Sequence, residues 1–295
     1  MNNLSVLCLA VAGLSACNGS NSKSSETANA SSRSNAAEKP NIVIILTDDQ
    51  GYGDMKCYGN SRLQTPNLDQ LAAEGIRFTN FYAGAAASTP SRAALLTGRY
   101  AERAGLQGVV DDLSVNGLES DEFTLADYLK QNNYATGIFG KWHLGCLPEH
   151  LPLRHGFNEF FGLPYSNDMW PFHPQPGHPY RALPLYDNER VVEYNPTVNH
   201  MTTRITERAT AFIDKHKNEP FLLYVPYTQP HVPLGVSDKF KGKSGEGLYA
   251  DVIMEIDWSV GEIMKTLKEN GLDDHTLVLF TSDNLSLIQS DAADE

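Results

Sequence analysis

The chain predicts an α/β fold, with a largely parallel central sheet and helices on both faces. Its strand-length apolar runs are nearly continuous, as in "NIVIILTDD" (41–49) and "PFLLYVPY" (220–227). Such runs suit strands buried on both sides. They alternate with amphipathic helical stretches, the order that builds a parallel sheet covered on both faces. Hydrophobic residues make up 41% and charged residues 20% of 295 positions. That composition supports one large α/β domain, or two small ones, with a real core. No internal repeat interrupts it.

The first residues read "MNNLSVLCLAVAGLSAC". The apolar run 4–16 is too short to span a bilayer and suits the core of an export signal. "Leu14-Ser15-Ala16-Cys17" resembles a bacterial lipobox, so 1–17 is expected to be a lipoprotein-type signal peptide with Cys17 lipidated. No Lys or Arg precedes the run, which leaves an uncleaved or mis-started N-terminus as the alternative. Residues 18–39 are Ser/Asn/Ala-rich and nearly free of large apolar groups, hence a flexible tether. The expected location is the cell envelope, as a periplasmic or surface-exposed lipoprotein that meets the membrane only through its N-terminal lipid anchor. Cys57 and Cys146 are then the cysteines left in the folded part, and their spacing does not say whether they pair. No spacing suggests a zinc site.

From Pro40 the pattern changes. A buried strand over 41–49 is followed by a helix at "TPNLDQLAAEG" (65–75), with Pro66 at its start and Gly75 at its end. "IRFTNFYA" (76–83) alternates like a strand, and "SRAALLTG" (91–98) predicts a short helix. "TLADYLKQNN" (124–133) predicts a helix, and "YATGIFGKWH" (134–143) a strand running into a loop. Residues 160–199 are rich in proline and aromatics with little periodicity, and predict a long shaped loop. Helix, strand, long helix and strand then follow at 200–217, 220–227, 248–271 and 275–284.

In such sheets ligands gather at the carboxyl ends of the strands. Asp48-Asp49, Lys141-Trp142-His143 and Asp283-Asn284 end three of the predicted strands, and His231 lies in the loop after a fourth. Asp48, Asp49, Asp283 and Asn284 supply hard oxygens suited to calcium or magnesium. One Asp-Asp pair alone reads as a capped turn; two such clusters shift the balance towards a metal. Arg92, Lys141, His143 and His231 add cations and proton donors, which with a metal describe a pocket for a tetrahedral oxyanion. The formal net charge of −13 argues against nucleic acid as a partner, so affinity for an anion must come from this local cluster.

"Ser88-Thr89-Pro90-Ser91-Arg92", with "LLTGR" behind it, resembles the Cys/Ser-x-Pro-x-Arg maturation motif of the type I sulfatases. "Gly140-Lys141-Trp142-His143" resembles their second motif, and "ILTDDQGYGD" and "FTSDN" their metal-binding strand ends. "TPNLDQLAAEGIRFTNFYA" and "GLPYSNDMW" share the texture of arylsulfatase-like members, so the resemblance runs from Pro40 to Asn284 in family order. It implies an alkaline phosphatase/sulfatase-like fold and the hydrolysis of aryl or carbohydrate sulfates, with a sulfated small molecule or glycan as substrate. It also implies that Ser88 is oxidised to formylglycine by a serine-type radical maturase. One hydroxyl of the hydrated aldehyde attacks sulfur, and the other collapses to the aldehyde and expels sulfate. By the same resemblance Asp48, Asp49, Asp283, Asn284 and modified Ser88 ligate Ca2+ (Mg2+ being possible). Arg92 and Lys141 hold the formylglycine, His143 assists sulfate release, and His231 contacts sulfate and protonates the leaving alcohol. The plain alternative for Ser88 is the N-cap of a helix over 92–96.

The chain departs from the family after "TSDN". Leu285 stands where glycine is expected, and residues 285–295 form an off-pattern tail. The family's later sulfate-contacting lysine and its C-terminal subdomain are not in this sequence. The expectation is a catalytic domain over 40–284 lacking that subdomain, with apolar surface exposed and little turnover. A phosphate or phosphonate ester hydrolase, and an inactive truncated lipoprotein, are the competing readings.

Overall fold

The computed structural model describes residues 39–173 and 180–284. The signal peptide, all but the last residue of the tether, and the off-pattern tail lie outside the described residues. The strands are β1 (Asn41–Asp48), β2 (Ala135–Lys141), β3 (Glu159–Leu163), β4 (Pro184–Asp187), β5 (Arg190–Tyr194), β6 (Phe221–Pro230) and β7 (Thr276–Ser282). They form one sheet in the order β5-β4-β3-β2-β6-β1-β7. β3, β2, β6, β1 and β7 run parallel, and β4 and β5 are antiparallel additions at one edge. The expected fold class is the observed one.

Alternation along each strand decides which helices cover which face. Val43 and Ile45 of β1 point into a core shared with α4 (Met201–His216) and α5 (Leu248–Glu269), including Ile205, Phe212, Ile256 and Val260. Ile44 and Leu46 point the other way, onto Ala93 and Leu96 of α2 (Ser88–Thr97) and Leu129 of α3 (Leu125–Gln131). Burial on both faces explains why β1 and β6 carry no polar face to alternate with.

The helix α1 (Pro66–Glu74) starts where Pro66 predicts, but Thr65 makes no side-chain cap. Its first amides are met instead by the Asp257 carboxylate of α5, which accepts from Asn67 N (3.3 Å) and Leu68 N (2.8 Å). A distant residue thus does the work of a cap. Among the described residues no helix is long and apolar enough to cross a membrane.

Two expectations fail. Residues 76–83 form no strand, and Ile76, Phe78, Phe81 and Tyr82 are exposed. Phe81 and Tyr82 line a cleft with Thr281 and Ser282 at the end of β7, but the segment does not pair with that strand. The supposed loop over 160–199 contains β3, β4 and β5. β4 and β5, the latter the edge strand, are short, partly exposed strands joined at Asn188 (φ 56°), so they lack the apolar run by which buried strands are read.

Candidate active site

Parallel strands deliver their carboxyl ends to one side of the sheet, and the predicted residues meet there. Asp48 ends β1, Lys141 ends β2, His231 follows β6, and Asp283 follows β7. Ser88 is the first residue of α2, and Arg92 lies one turn on. Ala87 holds the N-cap position, so Ser88 is not the cap. Its hydroxyl lies 2.7 Å from Asp283 Oδ2 and 3.0 Å from Asp48 Oδ1, with Lys141 Nζ 3.4 Å away.

Arg92 and Lys141 are fully buried, as is Asp48. The Arg92 guanidinium donates to Asp283 Oδ2 (2.9 Å from Nη2), to Asp48 Oδ1 (3.0 Å) and to the Lys141 carbonyl (2.8 Å). Lys141 Nζ donates to both Asp48 oxygens at 2.9 and 2.7 Å. Burial works against the Asp48 carboxylate, but Lys141 and Arg92 outweigh it and hold that group well below the usual carboxylate range. Asp49 is the opposite case. Burial, then the neighbouring Asp48 charge, pushes its carboxyl up to about 6.

Asp49 and His143 both sit in the left-handed region, at φ 63° and 61°. Such backbone turns are uncommon outside glycine, and here each re-aims a side chain just past a strand end. The His143 ring rests neutral, because burial and then Lys141 and Arg92 hold its pKa well below the ordinary value. Its Nε2 lies 2.9 Å from the Val110 carbonyl, and its Nδ1 is buried without a partner. A carbonyl can only accept, so Nε2 carries the hydrogen and Nδ1 presents a lone pair. His231 Nε2 lies 3.5 Å from Asp49 Oδ2.

Asp48, Asp49 and Asp283 form a buried trio whose oxygens lie within 4.8 Å of one another. Asn284 is buried next to Asp283 in the chain. An all-oxygen donor set with crowded carboxylates fits a hard divalent cation, whose charge relieves the repulsion that raises Asp49. Cys57 and Cys146 are free thiols, so the open question of their pairing closes as no bridge.

Other residues of the site carry no strong sequence signal. Ser166 Oγ lies 3.2 Å from Lys141 Nζ, and Ser91 Oγ donates to the Asp283 carbonyl. Gln229, fully buried, donates from Nε2 to the His231 and Pro233 carbonyls (3.2 and 3.1 Å) and accepts from Gly235 N (3.0 Å). That amide braces the loop bearing His231. Position within "SNDMW" and "TQPHVP" was the only hint that the sequence offered for Ser166 and Gln229.

Known proteins are similar to this chain in sequence and in fold. The Sulfatase family model matches residues 40–294. Arylsulfatase A of Bos taurus is 43% identical over 266 residues, covering 84% of this chain and 52% of the bovine protein. N-acetylgalactosamine-6-O-sulfatase of Bacteroides thetaiotaomicron is 36% identical over 313 residues, covering 88% and 61%. The crystal structure of Ps i-CgsB in complex with k-i-k-neocarrahexaose superposes with a TM-score of 0.74 at 34% identity, covering 83% of this chain and 58% of that one. The chain thus spans between about half and three-fifths of the length of these relatives.

Proposed function

The chain belongs to the sulfatase family, and from that premise we propose that its site hydrolyses sulfate esters of aryl compounds or glycans, with Ser88 as the precursor of the nucleophile. The observation that carries this reading is the seat of the Ser88 hydroxyl between Asp48 and Asp283 and beside Lys141. An ordinary N-terminal helix serine has no use for two carboxylates and a buried lysine.

Asp48, Asp49, Asp283, Asn284 and Ser88 would hold calcium. Bound there, calcium would polarise the sulfate oxygens as a Lewis acid, while formylglycine at position 88 would supply two hydroxyls in place of one. Lys141 and Arg92 fix the position of the residue-88 side chain and hold positive charge where sulfate oxygens arrive. His143, neutral and with its Nδ1 lone pair unengaged, takes the proton as the second hydroxyl collapses to expel sulfate. His231 hands a proton to the departing alcohol from Nε2, with the Asp49 carboxylate as counter-charge to the protonated ring. Maturation by a serine-type radical enzyme, and a cell-envelope location through lipidated Cys17, belong to the same proposal.

Co-expression with such a maturase tests the central claim. The tryptic peptide covering 78–92 should lose about two daltons, as the loss of two hydrogens requires. Ser88→Ala should show neither that loss nor any sulfate ester hydrolysis. On one preparation, aryl sulfate should be hydrolysed in preference to aryl phosphate, whatever the absolute rate. An unmodified Ser88 defeats the nucleophile assignment, and a preference for aryl phosphate turns the reading to a phosphoryl-transfer relative.

A further inference from the structure

Resting on the role given to His143 above, we propose that Thr89, the residue beside Ser88, is the positioning residue of that histidine. One hydroxyl holds both the His143 backbone and the peptide that sets its ring. Thr89 is fully buried. Its Oγ1 donates to the His143 carbonyl (2.9 Å) and accepts from Val110 N–H (3.2 Å). The Val110 carbonyl in turn lies 2.9 Å from His143 Nε2. The three residues close a ring, and two of its three bonds end on Thr89.

A helical threonine commonly returns its hydroxyl to the carbonyl four residues back. Thr97 of the same helix does so, donating to the Ala93 carbonyl at 2.7 Å, and Thr206 of α4 donates likewise to Thr202 at 2.6 Å. Thr89 instead spans 54 positions to His143 and 21 to Val110. Both partners need that support. Val110 lies in a stretch, 106–111, without helix or strand, so no ladder orients its peptide. His143 sits at φ 61°, a backbone conformation that its surroundings must impose. Its N–H donates to the Pro164 carbonyl (3.0 Å) and its carbonyl accepts from Thr89, so both backbone groups of that turn are pinned. With Nε2 directed at Val110, Nδ1 is the ring nitrogen left to take a proton. Without the hydroxyl, the Val110 peptide loses the bond that aims its carbonyl and His143 loses its anchor. The first turn of α2 thus carries the nucleophile precursor and also sets the tautomer of the group that takes its proton.

Magic-angle-spinning NMR of the full-length chain with 15N-labelled histidine reads the ring tautomers, and the signals lost in His143→Gln identify His143. In the unaltered chain His143 should show a protonated Nε2 and a bare Nδ1. Thr89→Val keeps the shape and removes the hydroxyl, so the Nδ1–H form should rise severalfold. Thr89→Ser, which keeps the hydroxyl, should restore the single pattern. Thr206→Val removes a buried hydroxyl from α4 and should leave the His143 pattern unchanged even where its melting temperature falls. A folded Thr89→Val chain with His143 wholly in the Nε2–H form overturns the proposal. So does an equal tautomer change in Thr206→Val, which marks a general loss of packing. If Thr89→Val does not fold, hydrogen exchange of the unaltered chain decides. A Val110 amide at least about 100-fold slower than the exposed Gly108 amide supports the ring, and equal rates overturn it. None of these signals needs Ser88 to be oxidised, so an unmodified Ser88 defeats the sulfatase reading separately.

Discussion

His143 and His155 are both buried histidines of low proton affinity, but they sit in different surroundings. His143 is depressed by burial and by the cations of the site, and keeps one nitrogen bonded to Val110. His155 stacks on Trp142 (5.8 Å, 26°) with neither ring nitrogen bonded. Burial, opposed by Asp127, pushes its pKa down to about 4 from an ordinary 6.5. Between those values the unfolded chain binds the proton and the folded chain does not. Stability from this group is therefore intact above about pH 6.5 and falls as the pH drops towards 4. From pH 7.5 to 5 the loss should be about 2 kcal/mol. His155→Phe keeps a stacking ring and removes the proton site. Urea unfolding at both pH values should show the unaltered chain losing about 2 kcal/mol more than this variant. Equal losses would show that His155 titrates normally.

At the scale of elements, the "Gly-Lys-Trp-His" motif begins with glycine for a packing reason. Gly140 has φ 140°, and a Cβ there would lie 1.8 Å from the Pro226 carbonyl oxygen of β6. Its partner across β2 and β3 is Gly162, whose Cβ would meet the Gly140 carbonyl at 1.7 Å. Backbone stands on both sides and cannot yield as a flexible side chain would. β2 is thus held tightly between its neighbours just before Lys141 leaves it for Asp48. Gly140→Ala should destabilise the fold by well over the ~1 kcal/mol of an average substitution, and should displace Lys141. Gly108→Ala, with open space at its Cβ, should stay within about 0.5 kcal/mol of the unaltered chain. Thermal unfolding of the two variants side by side measures the contrast.

At the scale of the whole molecule, the β7 edge of the sheet carries exposed apolar side chains. Among the described residues β7 has a neighbouring strand only on its β1 side. Leu277 and Leu279 are 51% and 42% exposed, while Val278 and Phe280 of the same strand pack against the core. Phe81 and Tyr82, also exposed, share a cleft with Thr281 and Ser282 at the end of β7. An open strand edge beside apolar side chains favours association, and a net charge spread over the whole surface opposes it only weakly at a local patch. The 295-residue chain should self-associate at micromolar concentrations. Leu277→Lys combined with Leu279→Lys should weaken that association by roughly tenfold or more, as loss of two apolar contacts requires. Sedimentation velocity over a concentration series decides it, and an unaltered chain that stays monomeric throughout would falsify the prediction.

Local chemistry made much of this molecule legible in its sequence. Strands buried on both faces need unbroken apolar runs, and loops at strand ends tolerate charge, so β1, β2, β6 and β7 and their polar termini are readable without coordinates. Asp48, Asp49, Lys141, His143, His231, Asp283 and Asn284 are readable for the same reason, as polar residues at or just after those termini, whereas Ser88 and Arg92, in the first turn of α2, stand out through the resemblance of their motif to a known family. What the sequence could not decide depends on pairing between distant segments. Local periodicity does not say that β7 returns beside β1, which is what brings Asp283 to Ser88 across 195 positions. Nor does it reveal β4 and β5, whose half-exposed residues lack a buried strand's pattern, or that residues 76–83 pair with no strand. The Val110 carbonyl that sets the His143 tautomer and the Asp257 carboxylate that caps α1 both arise from contacts far apart in sequence. Only the folded backbone can decide such contacts, because each depends on which strand lies next to which.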